Sequence, residues 1–303
     1  MAVYYATKTM AAIEEKIQSN QGASFRGYLG KVIGHIDDAY RTDEFPFRTH
    51  LGASGIGREC ARDIWYSFHW TTLEKHGGRL LRLFNRGHME EGRFIAMLLD
   101  IGCEVYQQDE HGKQFKISDA GGHFGGSGDG VVLGVPDLDA NTPALAEFKT
   151  SALAPFLKIK KNGVRAEKFE HFVQMQMYMG KMGLAVALYM IVNKNNDELH
   201  AEIVPFDQNI YNDFLNRGVS LVWQNEEPTR LSESPGWFEC KWCDHRPVCH
   251  LKKAPHENCR TCKSGTPKED GKWHCDSVAE NTPTEPLTKE EQFEGCNNYT
   301  RKF

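Results

Sequence analysis

Apolar positions return every three to four residues over 8–20, along most of 60–83, from Arg86 through Phe94, Ile95, Met97, Leu98 and Leu99 to Gly102, and over 167–182 and 207–225. Each of these stretches predicts a helix. Short apolar or alternating runs at 104–108, 113–118, 128–135, 144–149, 184–192 and 199–204 predict strands. The run 184–192 is the longest apolar one, too short to cross a bilayer, and it reads as a buried strand. A turn at 193–197 separates it from the last strand. The resulting αβββαβ-like order predicts the α/β class, with a central mixed sheet flanked by helices. No internal repeat interrupts it.

Charged residues at three points change this from a fold to a candidate site. Asp129 stands in a Ser-Gly-Asp-Gly turn, and Glu147 and Lys149 follow on the apolar run 144–149. Residues i and i+2 of a strand share a face, so Glu147 and Lys149 project together, and Asp129 can join them from the neighbouring strand. Carboxylates offer the hard oxygens that Mg²⁺ or Mn²⁺ prefers, and an ammonium beside them can hold a phosphate oxygen or orient a water. Such a set suits metal-assisted phosphodiester hydrolysis. Upstream, Glu91 lies one helical turn after His88; downstream, Gln174 and Tyr178 share one side of a helix.

These pieces, in this order, resemble the PD-(D/E)XK nuclease superfamily, in its RecB-like and phage lambda exonuclease-like branches. The resemblance rests on Gly87 with Glu91, Ser127-Gly-Asp129-Gly, Glu147-Phe-Lys149, and Gln174-x-Gln176 with Tyr178, and covers roughly residues 80 to 205. It implies a restriction-endonuclease-like core. It also implies Asp129 and Glu147 as metal ligands joined by Glu91, with His88 second in rank, Lys149 as the catalytic lysine, and Gln174 and Tyr178 as the glutamine-tyrosine motif.

Cysteines carry the second signal, since seven of the nine fall after residue 239. The first eight residues contain no apolar segment of signal-peptide length, so an intracellular, cytoplasmic setting is expected, where clustered thiols bind metal more often than they form disulfides. Cys240, Cys243 and Cys249 are three ligands in need of a fourth: His245, His250 or His256 would make a zinc site, or Cys60 would join from upstream. The Cys60 option is similar to RecB-like nucleases carrying a 4Fe-4S cluster, among them CRISPR-associated exonucleases, and that resemblance favours the cluster, with zinc as the alternative. Cys259, Cys262, Cys275 and Cys296 form a separate quartet with the pattern of a structural zinc site, for which His256 and His274 are rival ligands. Cys103 reads as a packed thiol.

Composition sets limits. The 303 residues, 40% hydrophobic, suffice for one sizeable core and a small metal-dependent module. No run is long enough for a membrane helix. The net charge of -5 is the wrong sign for a DNA partner, but Lys158, Lys160, Lys161, Arg165 and Lys168 stand against Glu167 alone in 157–168, which predicts a mobile basic loop on backbone phosphates. Lys241, Arg246, Lys252, Lys253, Arg260 and Lys263 make a second basic set. Trp65, Tyr66, Phe68 and Trp70 read as a buried aromatic helix face, with a base-stacking platform as the rival reading.

Together these readings divide the chain into a helical region at 1–83, a nuclease core at 84–235 and a cysteine-rich metal-binding module at 236–303. The resemblance implies a Mg²⁺- or Mn²⁺-dependent DNA exonuclease of recombination or repair, of phage type, working beside a recombinase or helicase. A structure-specific endonuclease and a non-catalytic zinc or iron-sulfur DNA-binding protein are the alternatives. The oligomeric state is left open.

Overall fold

The computed structural model describes residues 2–40, 47–73, 76–109, 111–278 and 286–303. The predicted helical stretch 60–83 includes 74 and 75, and the cysteine-rich module 236–303 includes 279–285; these positions lie outside the described residues. The chain divides into two compact units that are discontinuous in sequence, where composition suggests cuts at 83 and 235. One comprises Met1–Asp43, His76–Ile117 and Ser127–Tyr211; the other comprises Glu44–Lys75, Ser118–Gly126 and Asn212–Phe303.

The first unit is a mixed α/β structure built on a six-stranded sheet. Its strands are β1 (Tyr4–Tyr5), β2 (Glu104–Tyr106), β3 (Gly130–Leu133), β4 (Ala144–Ser151), β5 (Val186–Asn193) and β6 (Leu199–Pro205), in the spatial order β1-β6-β5-β4-β3-β2. Among the described residues of this sheet, only β4 and β5 run parallel, paired from Ala144 with Val186 to Ser151 with Asn193. A parallel pair needs a long crossover. Here that crossover holds α4 (Leu153–Asn162), α5 (Val164–Glu167) and α6 (Phe169–Met182), while α1 (Thr7–Asn20), α2 (Ala23–Val32) and α3 (Gly78–Asp100) precede the sheet's centre.

Alternation along β4 assigns its two faces. Ala144, Ala146 and Phe148 join Leu188, Met190, Phe94, Ile95 and Leu98 in the apolar core, and the Phe94 and Phe148 rings stack 5.1 Å apart. Glu147 and Lys149 therefore turn to the opposite face, which α6 covers.

Two sequence expectations need correction. The helix of Glu91 begins at Gly78, well before Arg86. Nor is 157–168 a loop: Phe156 and Ile159 bury one side of α4, Lys160 and Lys161 lie in its last turn, where they complement the helix dipole, and α5 follows directly. The density of charge hid an amphipathic helix.

The second unit has little regular sheet. It holds helices at Ala61–Phe68, Phe238–Lys241, Arg246–Leu251 and Lys289–Glu294 and a hairpin pairing Gly265–Pro267 with Trp273–Cys275. Trp65, Tyr66, Phe68 and Trp70 are all buried in it, as core packing requires. Arg260, expected on a basic surface, is instead buried among Trp70, Trp273 and Phe68.

Candidate active site

Strand β4 and the turn before β3 bring the predicted residues of the first unit together. Asp129 Oδ2 accepts the Phe148 backbone N–H at 2.9 Å, which seats its carboxylate against β4 between Glu147 and Lys149 in sequence. The next residue must be glycine. Gly130 has φ +151°, and a Cβ there would stand 2.6 Å from the Tyr106 carbonyl oxygen.

Glu147 is fully buried, and both its oxygens are engaged. The Lys149 ammonium donates to Oε1 and pairs with it, and Gln174 Nε2 donates to Oε2 at 3.2 Å. Tyr178, one turn beyond Gln174, is buried with its ring against Gly128 in the Asp129 turn. Gln176 points elsewhere: its amide donates to the Pro205 carbonyl and accepts the Asp207 N–H, so it fastens α6 to the end of β6.

The acids perturb one another. Burial, followed by the Asp129 charge, pushes Glu91 up to about 7, while a Gln107 hydrogen bond and the Lys149 ammonium act in the other direction. Burial also pushes Glu147 up to about 7, with Lys149 opposing and Asp129 adding to the rise. For Lys149, burial disfavours the ammonium, but the Glu147 and Asp129 carboxylates outweigh it and hold the group above its ordinary value. Burial thus holds the site's negative charge in check, and a divalent cation would relieve it. Three hard carboxylates fit Mg²⁺ or Mn²⁺ by donor chemistry. Among the described residues, however, no three His, Cys, Asp or Glu side chains stand at metal-holding geometry. His88 is half-buried on α3 one turn before Glu91.

Two further groups belong here that the sequence did not mark. Tyr189 on β5 is the register partner of Glu147, so its buried ring lies beside that carboxylate. Its hydroxyl meets His171 Nδ1 at 3.0 Å. Burial and the nearby Lys149 push His171 down to about 3, so the imidazole is neutral and Nδ1 can accept the tyrosine proton. Burial, then Glu147 and Glu202, holds Tyr189 well above its ordinary value. The available signal was the placement of His171 one turn before Gln174. Tyr189 had none, because it sits inside an apolar run.

Of the five basic residues predicted to meet DNA, two have other partners. Lys160 pairs with Glu198, and Arg165 pairs with Asp207 while lying 4.6 Å over the Phe172 ring. Lys158 and Lys161 are exposed on α4.

Within the second unit, the cysteines gather as two sets. Cys240 is raised by burial and then by Cys60 and Cys249, and Cys243 is pushed to about 12 by burial, Asp63 and Cys60 among other groups, so these four thiols are neighbours. Cys259, Cys262, Cys275 and Cys296 line one cavity of about 10 Å³, room for roughly one water-sized group. Gly265 closes this knuckle, where a Cβ would lie 1.7 Å from the Cys259 carbonyl oxygen. Neither set reaches metal-holding geometry. Three of the rival imidazoles have other contacts at their ring nitrogens: His245 meets Ser67 and Thr72, His256 Nδ1 meets the Asn258 amide, and His274 meets Asp270. Cys103 is buried and donates to the Gly134 carbonyl, as a packed thiol would.

No protein-family model and no curated protein matches the chain. Among solved structures, the chain is similar to one titled SSO0001 at 15% identity and TM-score 0.39, covering 77% of this chain and 100% of that one. It is also similar to the alkaline exonuclease LHK-Exo from Laribacter hongkongensis, at 13% identity and TM-score 0.38 over 65% of this chain and 90% of that one. The LHK-Exo complex with dAMP gives 15% identity and TM-score 0.40 over 57% and 86%. Likeness at this level leaves the functional reading to the site itself. No helix among the described residues is long and apolar enough to cross a membrane.

Proposed function

We propose that this chain is a divalent-metal-dependent DNA nuclease acting as an exonuclease in the cytoplasm, in recombination or repair. The observation that carries the reading is the meeting of Asp129, Glu147 and Lys149 on β4 and its neighbouring turn, with Gln174 on Glu147 and Glu91 electrostatically coupled to Asp129.

Glu91, Asp129 and Glu147 would hold Mg²⁺ or Mn²⁺, with His88 as a reserve ligand, and the cation would supply an activated water and neutralise charge on the phosphate. Lys149, held charged by its acidic neighbours, orients the attacking water or a phosphate oxygen. Gln174 fixes the second oxygen of Glu147, so the carboxylate and the ammonium keep one geometry. Tyr178 packs the Asp129 turn from behind. Lys158 and Lys161 are left to meet backbone phosphates. The Cys60, Cys240, Cys243 and Cys249 set suits a 4Fe-4S cluster or zinc, and the second quartet suits zinc; both would brace the fold rather than do chemistry. A recombinase or helicase is the expected partner.

Degradation of end-labelled single and double strands, with and without Mn²⁺ and beside Asp129→Ala, tests the reading. Mononucleotides released from a labelled end, absent without Mn²⁺ and in the variant, are expected. Cuts in a closed circle would indicate an endonuclease. Binding without any cleavage would leave a non-catalytic DNA-binding protein.

A further inference from the structure

Around Cys240 the second unit holds three large aromatic side chains in solvent. Phe238 is 74% exposed, Trp242 71% and Trp237 52%. Exposed rings so close together in sequence are costly in water and mark a contact surface. The segment that bears them is stiff. Lys241 N–H donates to the Trp237 carbonyl at 2.8 Å, Cys243 to Cys240 and Arg246 to Cys243, while buried Cys240 and His245 anchor it. The Trp237 indole N–H donates to Glu239 at 2.8 Å, which fixes that ring and occupies one of the two acids of the stretch; Asp244 is the other.

Basic residues accompany the rings along the chain. The Lys241 ammonium lies 5.2 Å over Trp242, and Lys252 and Lys253 are exposed just beyond the next short helix. Against a chain charge of -5, this excess of positive charge is local. Flat apolar faces interleaved with lysines match a polyanion whose bases are uncovered. A duplex hides those faces, whereas a single strand offers one on every nucleotide.

We propose that Trp237, Phe238 and Trp242, with Lys241, Lys252 and Lys253, form a stacking platform for single-stranded nucleic acid. The platform deepens the nuclease reading by naming the strand form that is held, yet binding at it requires no cleavage. It also relocates the base-stacking role, since Trp65 and Trp70 are buried.

The test is fluorescence anisotropy of a labelled oligothymidylate of about 20 residues with the full chain and no added Mg²⁺ or Mn²⁺, where cleavage is silent and no chelator competes for metal at the cysteines. A cleavage-dead protein and a non-binding protein then give separate results. Trp242→Ala should weaken binding about tenfold and the Phe238→Ala/Trp242→Ala protein more, while Trp242→Phe retains most affinity. Lys252→Ala/Lys253→Ala should flatten the slope of log affinity against log salt by about 1.4, about 0.7 for each lost phosphate contact on a single strand. Circular dichroism checks that each variant is folded. Binding by the double aromatic variant within about twofold of the parent overturns the platform, as does equal affinity for a blunt duplex. Absence of binding by the parent, with an oligomer that Trp242→Ala disperses, would assign the face to self-association and overturn it too.

Discussion

Each unit buries a charge, and they use it in opposite ways. In the first unit Glu147 is fully buried, yet its partners are the charged Lys149 and a single amide, and its proton affinity rises to about 7. In the second, Arg260 is just as deeply buried but saturated: it donates to the Phe68 and Thr49 carbonyls at 3.0 Å and to Gln292 at 2.9 Å, and lies 3.7 Å over Trp70. Its neighbours are neutral acceptors and aromatic faces; burial lowers its proton affinity, but from a value so high that the guanidinium keeps its charge. A buried charge with charged, adjustable neighbours is suited to chemistry; one with fixed neutral acceptors is suited to holding segments together.

Removing each cation should separate the two uses. Lys149→Met is expected to cut nuclease turnover on the order of 10³-fold, the scale of a lost electrostatic group at a reacting centre, while the melting temperature moves little because Glu147 can take up a proton. Arg260→Met should do the reverse to the fold. It strands two buried carbonyls and Gln292, and a loss of about 3 kcal/mol in urea unfolding is expected. A Lys149→Met protein that cleaves at the parental rate would end the comparison.

How legible each unit was in the sequence follows from the same contrast. Strands β4, β5 and β6 lie within two residues of the runs predicted for them, because alternating or continuous apolar residues leave a pattern along the chain. Asp129, Glu147, Lys149 and Gln174 could be found because each sits in a short motif on such an element. Arg260 could not. Its acceptors come from Thr49 and Phe68, about two hundred positions away, and a lone arginine beside a cysteine pair looks like surface. Helix α4 was misread for a related reason: Lys158, Lys160 and Lys161 dominate the composition, while Phe156 and Ile159 carry the packing. Tyr189 shows only in the register, as the cross-strand neighbour of Glu147.

The perturbed acid makes a pH-dependent prediction that the saturated arginine does not. A carboxyl whose folded value is raised contributes stability that is complete below its unfolded value, near 4.5, and is lost as the pH climbs through about 7. Metal-free Glu147→Gln should therefore gain on the parent protein as the pH rises across that window, by about 2 kcal/mol at the upper end. Thermal melts of both proteins in EDTA from pH 5 to 8 would read this as a difference, in which every group without an interaction with Glu147 cancels. A constant gap across the window would mean that burial does not strain Glu147.

The smallest effect tests whether the first unit's site extends to Tyr189. The Tyr189 hydroxyl and His171 Nδ1 join β5 to α6 one helical turn from the Gln174 bond to Glu147, so two adjacent contacts set the depth of α6 over the site. Tyr189→Phe keeps the ring and removes one contact. If the pair positions Gln174, kcat should fall about tenfold with KM unchanged, since the ground-state contacts with DNA are intact. Imidazole ¹⁵N spectra of the metal-free variant should show the proton distribution on His171 shifting as Nδ1 loses its donor. A merely packed tyrosine predicts neither change, because phenylalanine fills the same space.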